Sequence, residues 1–348
     1  MVDLNRLVRR NVAELKPYST ARDDYNGAIG IFLDANENSL GSVTERPFNR
    51  YPDPHQDALK KQIAVIKDVN PEQIFLGNGS DEVIDLLMRV FCRSDVDKIM
   101  ILPPTYGMYA VAATANDIGI VSVPLMPQFK IDLPAVLKQT RNVKLIFLCS
   151  PNNPTGNCLN QSEVFDLLQK FNGIIVIDEA YIDFAPQKSF LPRLKEFKNL
   201  VIMQTFSKAW GLANLRLGMA FADPQIIEWM SRIKYPYNIS GLTQEIALSA
   251  LARIEQKDRM VETILSERAR LVQALEKLMI VEKVFPSEAN FLLVKLREVR
   301  RVFGYLINQK IIVRDRSQAV HCDNCLRITV GTPAENDILI AKLKEFES

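Results

Sequence analysis

From about residue 70 the chain alternates two textures. Short runs are apolar over most of their length: "KIMIL", "VKLIFLC", "GIIVID", "NLVIMQTF" and "LGMAFA". Between them lie longer segments whose apolar residues recur every three or four positions. A strand that is apolar throughout is covered on both faces, as in a mostly parallel sheet clad by crossover helices. The pattern predicts an α/β fold.

The stretch "EQIFLGNGSDEVIDLLMRVF" shows one such unit. An apolar strand is followed by a Gly-Asn-Gly turn, Ser80 as the expected N-cap, and acids in the first turn. Val83, Ile84, Leu87, Val90 and Phe91 then share one helical face. After "KYPYNIS" a long helical stretch over 242–280 leads into mixed short strands and helices, which predicts a smaller α+β domain. The expected boundaries are a large domain over 31–240 and a small one over 241–348. Residues 1–30 have no alternation of their own and are expected to pack, as an arm, on the small domain or on a partner subunit.

The 348 residues suffice for about two domains at roughly 150 residues each. Lys and Arg total 43 against 41 Asp and Glu, so no broad basic surface is available for nucleic acid or an anionic membrane. No apolar run approaches the roughly 18–20 residues of a membrane span, and "MVDLNRLVRRNVAELKPYS" lacks the apolar centre of a secretory signal. A cytoplasmic protein is expected. Five cysteines fit reduced thiols better than a disulfide framework. Cys322 and Cys325 form a C-x-x-C pair, but no second pair or histidine cluster completes a zinc site, so no metal is expected there.

Chemistry in such a sheet collects at the carboxyl ends of the strands. There the sequence reads "GNGSDE", "PPTYGMY", "CSPNNPTG", "IDEAYIDF" and "TFSKAWGLANLRLG". Lys208, partly desolvated and near Arg216, would be neutral part of the time and able to attack a carbonyl; otherwise it is a solvated loop lysine. Asp178 ends an apolar strand, where a buried carboxylate needs a cation, a helix to cap or a structural arginine. Ser80 and Asp81 open a helix whose free N–H groups suit an anion, although a capped helix after a tight turn reads the same. Asn153 sits among turn formers and could serve its own backbone.

These segments, in this order, resemble the fold-type I pyridoxal-phosphate aminotransferases from "LDANEN" to "LRITVGT", which is nearly the whole chain. The resemblance implies that Lys208 is the Schiff-base lysine and that Asp178 keeps the cofactor ring nitrogen protonated. It further implies that Tyr181 and Asn153 bond the ring oxygen, and that Tyr106 stacks on the ring. Ser80, Asp81, Ser207 and Arg216 would hold the cofactor phosphate. Tyr51 in "NRYPDP" would reach the cofactor phosphate of a neighbouring subunit, which implies a homodimer.

Within that family, "LDANENSLG", "IIVRD" and "CLRITVGTP" are most similar to the subfamily that acts on histidinol phosphate. The implied substrates are a phosphorylated amine and glutamate or 2-oxoglutarate. Arg327 and Arg314 would hold the substrate phosphate or the carboxylates, Tyr18 in "KPYSTAR" would help at the phosphate, and Asn36 would line the same mouth. The sequence departs from many relatives at Ser39-Leu40-Gly41, where they carry Pro-Tyr-Gly. Threonine-phosphate decarboxylases and aromatic amino-acid aminotransferases have similar wording. A non-catalytic regulator on the same fold would need an added DNA-binding domain, for which the segment before residue 30 is too short.

Overall fold

A computed structural model describes residues 2–20 and 30–347. The helices in chain order are α1 (Arg10–Ala13), α2 (Asp57–Lys67), α3 (Ser80–Phe91), α4 (Met108–Ala115), α5 (Leu133–Lys138), α6 (Gln161–Lys170), α7 (Pro224–Ile233), α8 (Gly241–Leu251), α9 (Ile254–Leu275), α10 (Val299–Asn308) and α11 (Pro333–Glu347).

Seven strands form the large sheet: β1 (Ile74–Asn78), β2 (Lys98–Ile101), β3 (Gly119–Ser122), β4 (Val143–Cys149), β5 (Ile174–Asp178), β6 (Leu200–Thr205) and β7 (Leu217–Phe221). Their order is β1-β7-β6-β5-β4-β2-β3. The pairs from β3 through β6 are parallel, while β7 runs antiparallel to β6 and β1. That reversal has a consequence for the site. Because β7 returns directly beside β6, residues 206–216 turn back at the carboxyl ends of the parallel strands, carrying Lys208 and Arg216 with them.

Side chains alternate across a strand, and here both faces are dry. Ile146, Leu148, Ile175, Ile177 and Ile202 join the core under α2 and α6, whereas Leu145, Phe147, Ile174, Val176 and Val201 join the one under α3, α4 and α7. Each fully buried side chain of this size contributes about 1.5–3 kcal/mol, which is why the strands read as continuous apolar runs. The same alternation sends Asp178 and Thr205 to the α4 face and Gln204 to the opposite one. Strand β3 was not expected: it is the sheet edge, and exposed Gly119 and Ile120 break the apolar signal.

The smaller sheet contains β8 (Val281–Val284), β9 (Phe291–Leu296), β10 (Arg314–Asp315) and β11 (Cys325–Thr329), antiparallel in the order β10-β11-β9-β8. Leu271, Leu275, Val302, Leu306, Leu339 and Leu343 of α9, α10 and α11 pack on it. The expected single helical stretch over 242–280 is two helices, broken at Ala252 and Arg253. The break lets Ala247 and Leu251 of α8 join the large core while Leu271 and Leu275 of α9 serve the small one. Helix α8 thus packs with the large unit although it starts at residue 241, the expected beginning of the small one.

The described part of the arm also differs from expectation. Leu4, Leu7 and Val12 are buried in the core under α3 and α7 of the same chain. Arg9 N–H donates to Val90 O at 2.9 Å, and an Arg232 guanidinium N–H donates to Ala13 O at 2.6 Å. These apolar anchors and backbone bonds fix residues 2–13 on the large unit, not on the small one. Among the described residues no helix is long and apolar enough to cross a membrane.

Candidate active site

An open cleft of about 600 Å³ lies between the carboxyl ends of the parallel strands and the β10–β11 edge. It brings together Ser80, Asp81, Tyr106, Asn153, Asp178 and Tyr181. Ser207, Lys208, Arg216, Arg314 and Arg327 complete the expected set there. Tyr18, Asn36 and Tyr51 stand outside the cleft of their own chain.

One end of the cleft is cationic and rich in free backbone N–H groups. Ser80 is the first helical residue of α3, not its N-cap; that position belongs to Gly79, with φ 78° and ψ 166°. A Cβ at Gly79 would lie 2.7 Å from Arg216 Nη2, and one at Gly218 would lie 2.4 Å from Ser80 N. Two glycines therefore let Arg216 and β7 crowd the first turn of α3, whose N–H groups have no acceptor within the helix. Arg216 Nη2 pairs with Asp81 Oδ2 at 3.1 Å, and Tyr106 Oη donates to Asp81 Oδ1 at 3.3 Å. Thr205 Oγ1 donates to Ser207 Oγ at 3.0 Å.

At the base of the cleft Asp178 is buried. Its Oδ2 accepts from Tyr109 Oη at 2.7 Å and its Oδ1 from Ala180 N at 3.0 Å. Burial pushes the carboxyl above its ordinary pKa, while the Tyr109 hydroxyl, the Ala180 N–H and Lys208 pull it back. Such a carboxylate is served by hydrogen bonds but lacks a contacting cation. Tyr109 escaped the sequence reading. Tyr106 precedes α4 and Tyr109 lies in its first turn, their rings edge to face with centroids 5.5 Å apart, so no helical periodicity in "PPTYGMY" links the two. Tyr109→Phe is expected to cost about 1.5–3 kcal/mol of cofactor-free stability at alkaline pH, the range for a hydrogen bond to a charged group. Urea unfolding with an unchanged slope checks it; an unaltered midpoint contradicts the contact.

Lys208 projects into the open cleft with its Nζ 5.4 Å from the Tyr181 ring centroid. Desolvation lowers its pKa, as do Arg327 and Arg216, against the opposing pull of Asp178 and Asp81. The amine is thus nearer to neutrality than a solvated lysine, as a nucleophile or general base requires. Beside it runs a polar chain: Arg327 Nη1 donates to Asn153 Oδ1 at 2.5 Å, and Asn153 Nδ2 to Tyr181 Oη at 3.3 Å. Burial raises the Tyr181 pKa.

Glu179 faces away from the cleft. It accepts from Phe190 N at 2.6 Å, Ser189 Oγ at 2.8 Å and Gln204 Nε2 at 2.9 Å. Burial lifts its pKa to about 7. The folded chain therefore holds this proton more tightly than the unfolded one, so the group favours folding most below its unfolded value near ~4.3, and that benefit is lost as pH rises to about 7. Glu179→Gln is expected to flatten the stability profile across that window, as followed by denaturant unfolding from pH 5 to 8. A profile as steep as the parent's would remove Glu179 as its source.

The three remaining residues are placed elsewhere for identifiable reasons. Tyr18 follows the anchored arm and borders a groove with Arg9, Arg89 and Arg232. Asn36, at φ 54°, lies in an exposed loop whose Glu37 pairs with Arg50 at 2.7 Å. Tyr51 stacks on Tyr237, ring centroids 4.5 Å apart. Tyr18 and Asn36 do not line the cleft of their own chain. Cys322 and Cys325 are buried free thiols, raised by burial to about 11 and 12.

The family described as aminotransferase class I and II matches residues 30–343. A histidinol-phosphate aminotransferase of Cytophaga hutchinsonii is 51% identical over 99% of both chains, and one of Parabacteroides distasonis is 49% identical over the whole of both. The crystal structure of the histidinol-phosphate aminotransferase from Clostridium acetobutylicum superposes with a TM-score of 0.80 at 25% identity, covering 86% of this chain and 91% of that one. The chain belongs to the class I and II aminotransferase family.

Proposed function

We propose that the chain is a pyridoxal-phosphate-dependent enzyme that moves an amino group between histidinol phosphate and 2-oxoglutarate, giving imidazole acetol phosphate and glutamate. The observation that carries this reading is the end-to-end similarity, at 51% and 49% identity, to relatives bearing that name.

The cleft residues fit the cofactor. Asp178 is a buried carboxyl short of a cation, Lys208 is an amine with a lowered pKa, and Arg216 crowds the first turn of α3 with its free N–H groups. When bound, pyridoxal phosphate supplies a carbonyl carbon for the amine and a protonated ring that takes up the electron pair freed at the substrate carbon. Asp178 holds the proton on the ring nitrogen, and Tyr109 with the Ala180 N–H fixes its orientation. Lys208 carries the proton to and from the substrate carbon. Tyr181 and Asn153 donate toward the ring oxygen, and Tyr106 covers the ring. Ser80, Asp81, Ser207 and Arg216 hold the phosphate, Asp81 through its N–H while its carboxylate ties Arg216 and Tyr106. Arg327 and Arg314 bind the oxyanions of the two substrates.

A homodimer belongs to the same reading. Leu33, Leu40 and Val43 are almost wholly exposed in the segment before Tyr51, a concentration of apolar surface that a second copy would cover. Tyr51 would then serve the partner's cofactor phosphate. Five free cysteines are in keeping with a cytoplasmic place. Steady-state assay tests the substrate assignment. Glutamate should form from histidinol phosphate and 2-oxoglutarate with a kcat/KM well above that for aromatic amino acids. Release of carbon dioxide from threonine phosphate, without glutamate formation, would favour the decarboxylase instead.

A further inference from the structure

Strand β10 is only two residues long, yet it arranges three guanidinium groups. Arg314 lies opposite Arg327 on β11, and Arg316 N–H donates to Cys325 O at 2.9 Å, extending the ladder by one residue. Residues two apart on a strand face the same side. Arg314 and Arg316 therefore stand on the face of Arg327, while Asp315, paired with Leu326, faces away. All three arginines line the cleft.

Their charges are not neutralised locally. Among the described residues, no carboxylate forms an ion pair with Arg314, Arg316 or Arg327. The Nε of Arg316 is buried and has no hydrogen-bond partner. Burial lowers the pKa of Arg327, and Arg316 lowers it further, ahead of Arg314. Like charges held this close cost free energy unless an anion enters between them.

The anion's shape decides between the two substrates. A carboxylate is planar, carries one charge and is satisfied by a single guanidinium fork. A phosphate monoester carries close to two charges and offers three terminal oxygens in tetrahedral directions, so several forks can serve it at once. We propose that Arg316 is the third guanidinium of a phosphate subsite and sets the preference for a phosphorylated amine over a dicarboxylic amino acid. The inference rests on reading the chain as acting on histidinol phosphate.

The test uses the holoenzyme with Arg316→Met, which keeps length and removes charge, and Arg316→Lys, which keeps charge and removes the fork. The two half-reactions are measured separately with histidinol phosphate and with glutamate, and inorganic phosphate binding is followed by calorimetry. For Arg316→Met the expected result is an apparent KM for histidinol phosphate raised about 10- to 100-fold, that for glutamate moved by about threefold or less, and kcat nearly constant. Phosphate affinity should fall in parallel, with Arg316→Lys intermediate. Equal losses for both substrates, or unchanged phosphate affinity, would overturn the proposal. If the parent enzyme binds phosphate through Arg316 yet does not turn over histidinol phosphate, the substrate assignment fails and the subsite stands.

Discussion

Replacing Lys208 with alanine is expected to lower transamination by about 10⁴-fold or more, the upper end of what one proton-transferring side chain contributes. The expectation follows from geometry as well as chemistry. Lys208 is the amine that the β6–β7 return places over Tyr181 and near Asp178, with Arg327 and Arg216 holding its pKa down. A second readout separates loss of chemistry from loss of fold. After borohydride treatment, the parent peptide containing Lys208 should carry the mass of the reduced cofactor, and the Lys208→Ala peptide should not. Normal turnover by the variant would remove Lys208 from the reaction.

The second large effect is expected at Asp178, where activity and stability should move in opposite directions. Asp178→Asn leaves the ring nitrogen without its counter-charge and should cut kcat roughly 10²- to 10³-fold, as when one preorganised electrostatic group is lost. The cofactor-free protein should nevertheless become more stable at neutral pH. Burial raises the carboxyl's pKa in the folded chain, so its ionised form opposes folding increasingly as pH rises past the unfolded value near ~3.9. A neutral amide of the same shape avoids that cost and can still bond Tyr109. Thermal unfolding without cofactor, set beside kcat with it, checks both halves. A variant that keeps full activity, or one that loses stability and activity together, would contradict the role.

Much of this was legible in the sequence because the large sheet is dry on both faces. Strands β4, β5 and β6 are apolar at nearly every position, so the polar residues at their carboxyl ends stand out, Asp178 closing β5 and Lys208 lying three residues past β6, while the roles of the two came from the family resemblance. What escaped had no such frame. Tyr109 is polar at one atom and sits on a short helix, where a buried tyrosine reads as core. Arg316 belongs to a ladder of two residues, too short for any periodicity to predict that Arg314 and Arg316 share a face. The break between α8 and α9 is invisible in a periodic stretch that serves two cores in turn. Leu4, Leu7 and Val12 are too few to show in the sequence that, within their own chain, they anchor to the large unit and not to the small one.

The account centres on an amino group passing from a phosphorylated amine to this cleft and on to a keto acid. Spectral titration of the holoenzyme tests that most directly. Histidinol phosphate alone should convert the cofactor absorbance in one turnover and release imidazole acetol phosphate, and 2-oxoglutarate added afterwards should restore the spectrum with one glutamate formed per site. No spectral change with histidinol phosphate, or no glutamate on adding the keto acid, would contradict it.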